Sequence, residues 1–389
     1  MAKLNGFTKK QILDIYYKMS LSRALDTKML ILLKQGKSFF HMGASGHEAA
    51  QLAASIIFKP GIDWSYPYYR DGAYCLGLGM TAREQLLSFL SKADDPNSGG
   101  RQMPMHYGHK DLKIISQSSP TGSQFLQALG TSFAAQNDGK NSIVYVSSGE
   151  GTTSQGDFHE ALNWASNAKA PIIFHIQDNE YAISTHKSEQ SADSVFTRAA
   201  GYKNLSRFDV DGTDFFESHL AFKQACDRAR KGQGPSVVVT NVVRLLPHSS
   251  SDDQRKYRSE DDLNKDQERD PLIVLKNQCL ESKFILKKDF DKLDNSAKDQ
   301  VESDVNWSEK QPYPDEETAL DHIYSSDPFV NEASVKTIRK NVVMVDAINH
   351  ALSEEMLRNK KMLIFGQDIA DPKGGVFTAT KGLSDNFGM

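Results

Sequence analysis

The sequence predicts an α/β protein, a mostly parallel sheet with helices on both faces, extended by helices at the N- and C-terminal ends. Two stretches carry that prediction. In the first, Ile143–Val146 is a β-branched and aromatic run closed by Ser-Ser-Gly. Phe158, Ala161, Leu162 and Ala165 then recur at i, i+3, i+4 and i+7 across Gly156–Ala168, and Ile172–Ile176 follows Ala170-Pro171 as a second apolar run. Strand, helix and strand at this spacing form a βαβ unit, whose strands are parallel. In the second, Phe208–Asp214 reads as a strand-end turn, with Asp214 and Glu217 opening a helix. Gly232–Gly234 breaks that helix, and Pro235 opens the strand Val237–Val243, a further element of the same sheet.

The other elements follow in chain order. Thr8 with Gln11 is a capping box that opens a long helix through Leu13, Tyr16, Met19 and Met29, stopping at Gly36. Phe39–Gly46 loops on its glycines, and an apolar helix runs from Glu48 to Phe58. Thr81 with Glu84 opens a helix to Leu90. Ser118–Gln124, with Pro120 in the first turn, starts a helix that passes Leu129 and Phe133 and ends near Gly139. The charge-rich stretch from Pro247 to Asp270 reads as a solvated, mobile loop. Asp270-Pro271 opens a helix to Leu280, and a Lys- and Asp-rich amphipathic helix spans Phe284–Val305. A linker is expected over 312–339. After it come a helix at Met344–Arg358, striped by Ala347, Ile348, Ala351 and Met356, and a strand at Met362–Phe365. The expected domains are therefore 1–311 and 340–389.

Composition narrows the function. Hydrophobic residues make up 39% of 389 and charged residues 25%, as in a globular protein, and the net charge of −4 gives no nucleic-acid footprint. No apolar run approaches the ~18 residues that cross a membrane. The start, MAKLNGFTKKQ, has neither a signal-peptide nor a transit-peptide pattern. Cys75, Cys226 and Cys279 have no paired or metal-type spacing, which fits a reducing cytoplasm.

The chemistry is expected where the two central strands end. Gly149-Glu150-Gly151 lies at the carboxyl end of one strand and Asp178-Asn179 at that of the next, on the edge where open parallel sheets bind ligands. A carboxylate oxygen, an amide oxygen and a backbone carbonyl suit Mg²⁺, while the glycines and the following helix N-terminus suit a diphosphate. The competing reading is a plain Rossmann-type turn with a surface Asp-Asn. A nicotinamide site asks for Gly-x-Gly-x-x-Gly, and Gly149-Glu-Gly151-Thr-Thr-Ser lacks the third glycine.

Gly149-Glu150-Gly151, followed by Asp178-Asn179 and Tyr181-Ala182-Ile183-Ser184, resembles the thiamine-diphosphate motif. The chain is similar to the α subunit of the decarboxylating component of 2-oxoacid dehydrogenase complexes, of the branched-chain (2-oxoisovalerate) type. The resemblance implies the thiamine-diphosphate-binding fold, with Mg²⁺ held by Glu150, Asn179 and the carbonyl of Tyr181. It implies cofactor contacts from Gly149, Gly151 and Thr152. Tyr69 and Arg70 fall where the family sets a Tyr-Arg pair against the diphosphate, and an Arg fork suits phosphate oxygens. Ser119 and Thr121 fall on the turn that holds the aminopyrimidine. Ser118, Pro120, Ser123 and Gln124 fall where some members hold K⁺. His248, in His-Ser-Ser-Ser-Asp-Asp, matches an active-centre histidine able to bond the diphosphate or move a proton. His106, in the loop Gly100–Gly108 that the family shares, is a second candidate against plain packing. His41 and His47 stand near the cleft segment, where a lone histidine is more often structural. Ser249 and Ser259 fall near serines that mitochondrial relatives phosphorylate. One position departs from the pattern: branched-chain relatives carry Arg two places before the metal-binding Asn, and here it is Gln177, placed with the cofactor-binding set.

From Val342 the sequence resembles the start of the β subunit of the same family, so the chain reads as an α subunit fused to a β subunit that stops at Met389. The family's β-subunit glutamate, which promotes the reactive thiazolium, lies beyond that point, so little turnover is expected of this chain alone. The implied reaction is oxidative decarboxylation of a branched-chain 2-oxoacid with acyl transfer to the lipoyl group of a partner acyltransferase, in an α2β2-like assembly. A pyruvate- or acetoin-type enzyme and an inert assembly module are the alternatives.

Overall fold

The computed structural model describes residues 3–137, 139–324 and 341–388. They fall into two compact units, Met1–Leu320 and Asp321–Met389. The first unit opens with a small antiparallel pair, β1 (Lys3–Leu4) and β2 (Phe7–Thr8), and the long helix α1 (Lys9–Lys34), whose Thr8–Gln11 capping box is present in both directions. Then come α2 (Glu48–Ser55), β3 (Trp64–Tyr66), α3 (Gly72–Leu78) and α4 (Ala82–Phe89), the last with the expected Thr81–Glu84 box. Helix α5 (Gln124–Gln136) precedes the central unit of β4 (Val144–Gly149), α6 (Gly156–Ala168) and β5 (Ile172–Asp178). A tight hairpin, β6 (Tyr181–Ala182) and β7 (Thr185–His186), leads through the short helices α7 (Lys187–Gln190) and α8 (Val195–Arg198) to β8 (Ser206–Asp211), α9 (Phe215–Arg230) and β9 (Ser236–Asn241). Three helices close the unit: α10 (Glu260–Glu268), α11 (Pro271–Glu281) and α12 (Lys287–Ser308).

The sheet has the order β3-β4-β5-β9-β8, and every neighbouring pair is parallel. Its strands alternate between two cores. Tyr145, Ile173 and Val238 pack on the face covered by α1, α2, α9 and α12. Val144, Val146, Ile172, Phe174, Ile176, Val237 and Val239 pack on the face covered by α5 and α6. A strand buried on both faces needs an unbroken apolar run, which is why the sequence reads that way. The α/β expectation, a parallel sheet with helices on both faces, is met.

Some elements differ from expectation. Strand β3 is three residues long, below any periodicity window, and exists because Trp64–Tyr66 pairs with Val144–Val146. Helix α5 begins at Gln124 rather than Ser118, because Gly122 takes φ +99° and breaks any helical path before it. The stretch to Asp270 is not a plain solvated loop. Ser259 caps α10, Arg258 is buried against Asp266 at 2.7 Å, and Gln254 is buried, because the alternating charges pair with one another. Residues at the start of the expected linker pack on the first unit. Pro312 accepts from Ala93 N–H, Lys92 lies over the Tyr313 ring, and Thr318 O accepts from Arg101. The rest of that linker, 325–339, lies outside the described residues.

The second unit contains α13 (Met344–Arg358), as expected, and α14 (Leu383–Phe387). Met362–Phe365 is not a strand: among the described residues of this unit no strand stands beside it to pair with. The stripe of α13 is not covered, since none of that helix's residues is buried.

Candidate active site

The parallel strands deliver their carboxyl ends to one edge, and that edge carries the site. Strand β3 leads into Tyr68–Arg70, β4 into Glu150, β5 into Asn179, and β9 onward to Arg244 and His248. A cavity of about 440 Å³ opens there. Tyr69, Arg70, His106, Ser118, Ser119, Thr121, Gln124, Gly149, Glu150, Gly151, Thr152, Asn179, Tyr181 and His248 line it, together with Phe40, Met42, Tyr68 and Ile183.

Glu150 and Asn179 meet. Asn179 N–H donates to Glu150 Oε2 at 3.3 Å, and Glu150 Oε1 is buried with no hydrogen-bond partner among the described residues. Burial and the neighbouring Asp178 push the Glu150 carboxyl up to about 7. A buried carboxylate oxygen left without a donor is costly unless a cation or proton takes it. The Asn179 Oδ1 accepts from Tyr181 N–H at 3.2 Å, so an amide oxygen and the Tyr181 backbone stand beside that carboxylate. This is an oxygen-rich, low-charge donor set of the kind Mg²⁺ takes when phosphate and water supply the remainder. Among the described residues no three of His, Cys, Asp and Glu cluster as a metal group, so a cation here would rest on this mixed set. The hairpin β6–β7 is bent tightly, with Glu180 at φ +71° and Ile183 at φ +58°. Gly151 lets it close: a Cβ there would lie 2.6 Å from the Ala182 Cβ.

The opposite wall is cationic. Arg70 is 1% exposed, donates to Gly43 O at 2.6 Å and to His248 O at 2.9 Å, and lies over the Tyr69 ring. Its second nitrogen stands 3.1 Å from His248 Nδ1, which must accept. Burial, Arg70 and Arg244 together pull the His248 imidazole down to about 4, so it is neutral at pH 7, with its proton on Nε2. Arg244 ties this wall to the hairpin, donating to Ile183 O at 3.0 Å and to the Tyr257 hydroxyl at 2.8 Å, which in turn donates to Asp252.

His106 lies at the mouth. Its Nδ1 stands 3.1 Å from Met103 O, a pure acceptor, so Nε2 accepts from the Ser119 hydroxyl at 2.8 Å. Of the four K⁺ candidates, Ser123 Oγ bonds Ser118 Oγ and Pro120 O. The Gln124 oxygen is already taken by Gly122 N–H, while its amide donates to Ser147 O. Ser249 is half-buried and bonds Ser251, and Ser259 serves as the cap of α10.

Gln177 corrects one expectation. Its strand position pairs with Gly149, yet its side chain does not line the cavity; it is fully buried beneath it. Its amide donates to Asp71 at 2.6 Å, and its oxygen accepts from Gln51 at 2.9 Å and faces His47 Nδ1 at 2.8 Å. Residues alternate faces along a strand, and the pleat turns this one inward. Sequence reasoning missed the network itself: Asp71, Gln51 and Tyr68 were not singled out, and no spacing rule joins residues from four elements. His41 is structural, held by Asp26 at 3.1 Å. His47 is buried and does not line the cavity, but it touches Asn179.

A family model described as the dehydrogenase E1 component matches residues 16–317. The chain is 38% identical over 325 residues to the 2-oxoisovalerate dehydrogenase subunit alpha of Bacillus subtilis (strain 168), covering 82% of this chain and 97% of the relative. It is 32% identical over 305 residues to a pyruvate dehydrogenase E1 component subunit alpha of Staphylococcus aureus (strain Mu50), covering 78% of each. A match to residues 16–317 takes in the whole cavity edge and its parallel sheet, and on that ground the chain belongs to the dehydrogenase E1 component family.

Proposed function

We propose that the cavity holds thiamine diphosphate through a divalent cation and that the chain is the α-type part of a branched-chain 2-oxoacid dehydrogenase. The observation that supports this most is the unpartnered, buried Glu150 oxygen beside Asn179 and Tyr181, in one cavity with the Arg70 cation and the neutral His248. Glu150, Asn179 and the Tyr181 carbonyl would hold Mg²⁺. Arg70, Tyr69 and the Gly149–Thr152 turn would hold the diphosphate, and Ser119 and Thr121 the aminopyrimidine side; K⁺ at Ser118, Pro120, Ser123 and Gln124 would brace that turn. When bound, the cofactor supplies the electron sink for loss of CO₂.

The protein's own part is orientation and protons. Burial, with Arg70 and Arg244, keeps His248 neutral, so its Nε2–H can donate to a substrate carboxylate or carbonyl at pH 7. His106 presents an acceptor nitrogen to Ser119 and can take that hydroxyl's proton. The acyl group would pass to the lipoyl arm of a partner acyltransferase, in an α2β2-like assembly in the cytoplasm. Residues 340–389, which lie beyond the family match, are read as the start of a β-type segment from the sequence resemblance. Among the described residues no helix is long and apolar enough to cross a membrane.

Thermal-shift titration with thiamine diphosphate and Mg²⁺ tests the cofactor reading. Ligand at 100 times its Kd should stabilise the protein by about 2.7 kcal/mol, and Glu150→Gln should abolish that shift. No shift in the wild type overturns the reading. The similarity to a pyruvate dehydrogenase subunit keeps a pyruvate-type enzyme as the second reading. Rates with each 2-oxoacid, measured with the partner components present, separate the two.

A further inference from the structure

We infer that His47 is a positioning residue that fixes which way round the Asn179 amide stands, through a buried chain of hydrogen bonds running Asp71–Gln177–His47–Asn179. The inference rests on the cation site proposed above and adds to it how one donor is kept facing the ion.

The direction of every bond in the chain follows from its far end. Asp71 is fully buried and takes donors on both oxygens: Tyr68 N–H at 3.3 Å, the Tyr145 hydroxyl at 3.2 Å and the Ser147 hydroxyl on one, Gln177 Nε2 at 2.6 Å on the other. The Gln177 amide nitrogen must therefore face Asp71, and its oxygen must face the other way. That oxygen takes Gln51 Nε2 at 2.9 Å and stands 2.8 Å from His47 Nδ1. A carboxamide oxygen only accepts, so His47 carries its proton on Nδ1. Its Nε2 is then a bare acceptor, 3.4 Å from Asn179 Nδ2. Asn179 satisfies it only with its nitrogen turned to His47, which leaves Oδ1 turned to Tyr181 N–H, while the Asn179 backbone N–H bonds Glu150.

The opposite amide orientation would set Oδ1 against the lone pair of Nε2 and offer the ion an N–H group. Reading the chain backwards fails as well, because Gln177 would then turn its NH2 group against the Gln51 amide nitrogen, which Arg70 O and Ala73 N–H hold in place. The chain is anchored outside the cavity. Gln51 donates to Arg70 O at 2.9 Å and accepts from Ala73 N–H at 3.1 Å. Gln177 thus has a use that its place on the strand alone does not reveal: it carries orientation from Asp71 to the cavity rather than touching a ligand.

Two measurements decide the matter, with Mn²⁺ as the probe in the presence of thiamine diphosphate. The first needs no variant. Long-range ¹H–¹⁵N spectra of the histidine-labelled full chain should show His47 as the Nδ1–H tautomer, and an Nε2–H tautomer overturns the inference. The second compares His47→Asn, which keeps a donor toward Gln177 but removes the acceptor, with His47→Gln, which can return an acceptor to the Nε2 position. Outer partners of metal ligands are typically worth about 10–100-fold in affinity. His47→Asn should therefore weaken Mn²⁺ binding by roughly that factor, with His47→Gln recovering most of it at a comparable melting temperature. Binding that is lost in Glu150→Gln but unchanged in His47→Asn overturns the orienting role alone. Absence of Mn²⁺ binding in the wild type overturns the cation site and this inference with it.

Discussion

Gly151→Ala should break the site through one methyl group. The added Cβ would lie 2.6 Å from the Ala182 Cβ, 3.3 Å from the Gln190 Oε1 and 3.4 Å from the Ala182 Cα. Ordinary contact begins at 3.4 Å, so the β6–β7 hairpin must retreat by 3.4 − 2.6 = 0.8 Å. Overpacking of this kind costs about 1–3 kcal/mol. The retreat also carries Tyr181 and its carbonyl away from Glu150. Metal–ligand distances hold to about ±0.2 Å, so a shift four times larger should weaken Mn²⁺ binding at least about tenfold. The offending contact is with a methyl group, and Ala182→Gly removes it. A double-mutant cycle therefore has a definite expectation. Gly151→Ala alone loses about 1–3 kcal/mol in urea unfolding, Ala182→Gly alone loses less than about 1 kcal/mol, and the double variant recovers most of the loss and of the Mn²⁺ affinity. Simple addition of the two losses would refute the packing account. Full Mn²⁺ affinity in Gly151→Ala would refute the placement of the cation between turn and hairpin.

The two buried histidines should make the fold sensitive to acid. Burial, then Arg70, holds the His47 imidazole down near 3, and burial with Arg70 and Arg244 holds His248 near 4. Below pH 6.5 the unfolded chain therefore binds protons at these two histidines that the folded chain refuses, so their contribution to stability rises with pH from about 4 to 6.5. Glu150 and Asp71, raised by burial to about 7, contribute in the opposite sense over the same window and leave the His248 difference to be read against the wild type. The slope is up to about 1.4 kcal/mol per pH unit for each group, and less for the partly exposed His248. Urea unfolding across that window in wild type and His248→Gln reads the difference, and an unchanged slope refutes the assignment. Gly46→Ala should unfold the protein or cost more than about 3 kcal/mol, because Gly46 has φ +104° and a Cβ there would meet Val243 O; wild-type urea stability would refute this. Ser259→Ala removes the cap bond to Asp262 N–H, worth about 1 kcal/mol. Hydrogen exchange at Asp262 should then quicken about fivefold, with exchange in α6 unchanged as the control.

The parts that were legible in the sequence are those whose signal is local. The βαβ unit at Val144–Asp178 announces itself by two apolar runs and a helical stripe, and the capping boxes at Thr8 and Thr81 by three-residue spacing. Glu150 and Asn179 were legible as a pair because parallel strands fix which ends share an edge. Three kinds of feature were not. Strand β3 is too short to show a period and exists only by pairing with β4. Helix α10 sits in a run whose charges read as solvated, because nothing in sequence order reveals that Arg258 meets Asp266 and Arg244 meets Tyr257. The role of Gln177 was misread because it depends on the face its side chain takes and on partners from α2 and the Asp71 turn, distant in sequence.

The charges of the cleft, taken together, bear on what it is shaped to receive. On one side, burial and Asp178 make Glu150 hold its proton up to about 7. On the other, burial and Arg70 make His248 refuse one down to about 4. Burial is the larger cause of both shifts; beyond it, Glu150 is raised by Asp178 and eased by Lys187, which pairs with Asp178 at 3.1 Å, and His248 is lowered by Arg70 and Arg244. A bare anion would relieve only the Arg70 wall and would sit badly against Glu150 and Asp178, while a bare cation would do the reverse. A cation–diphosphate pair relieves both at once. A nicotinamide dinucleotide leaning on a helix N-terminus would have no use for the buried carboxylate. A two-signed cleft of this kind supports the cation–diphosphate reading proposed above. It also calls for a linked response: Mn²⁺ and diphosphate should each raise the other's affinity, by the same factor in both directions. Titrating each in the absence and presence of the other measures that factor, and independence of the two would show that they do not share this cavity.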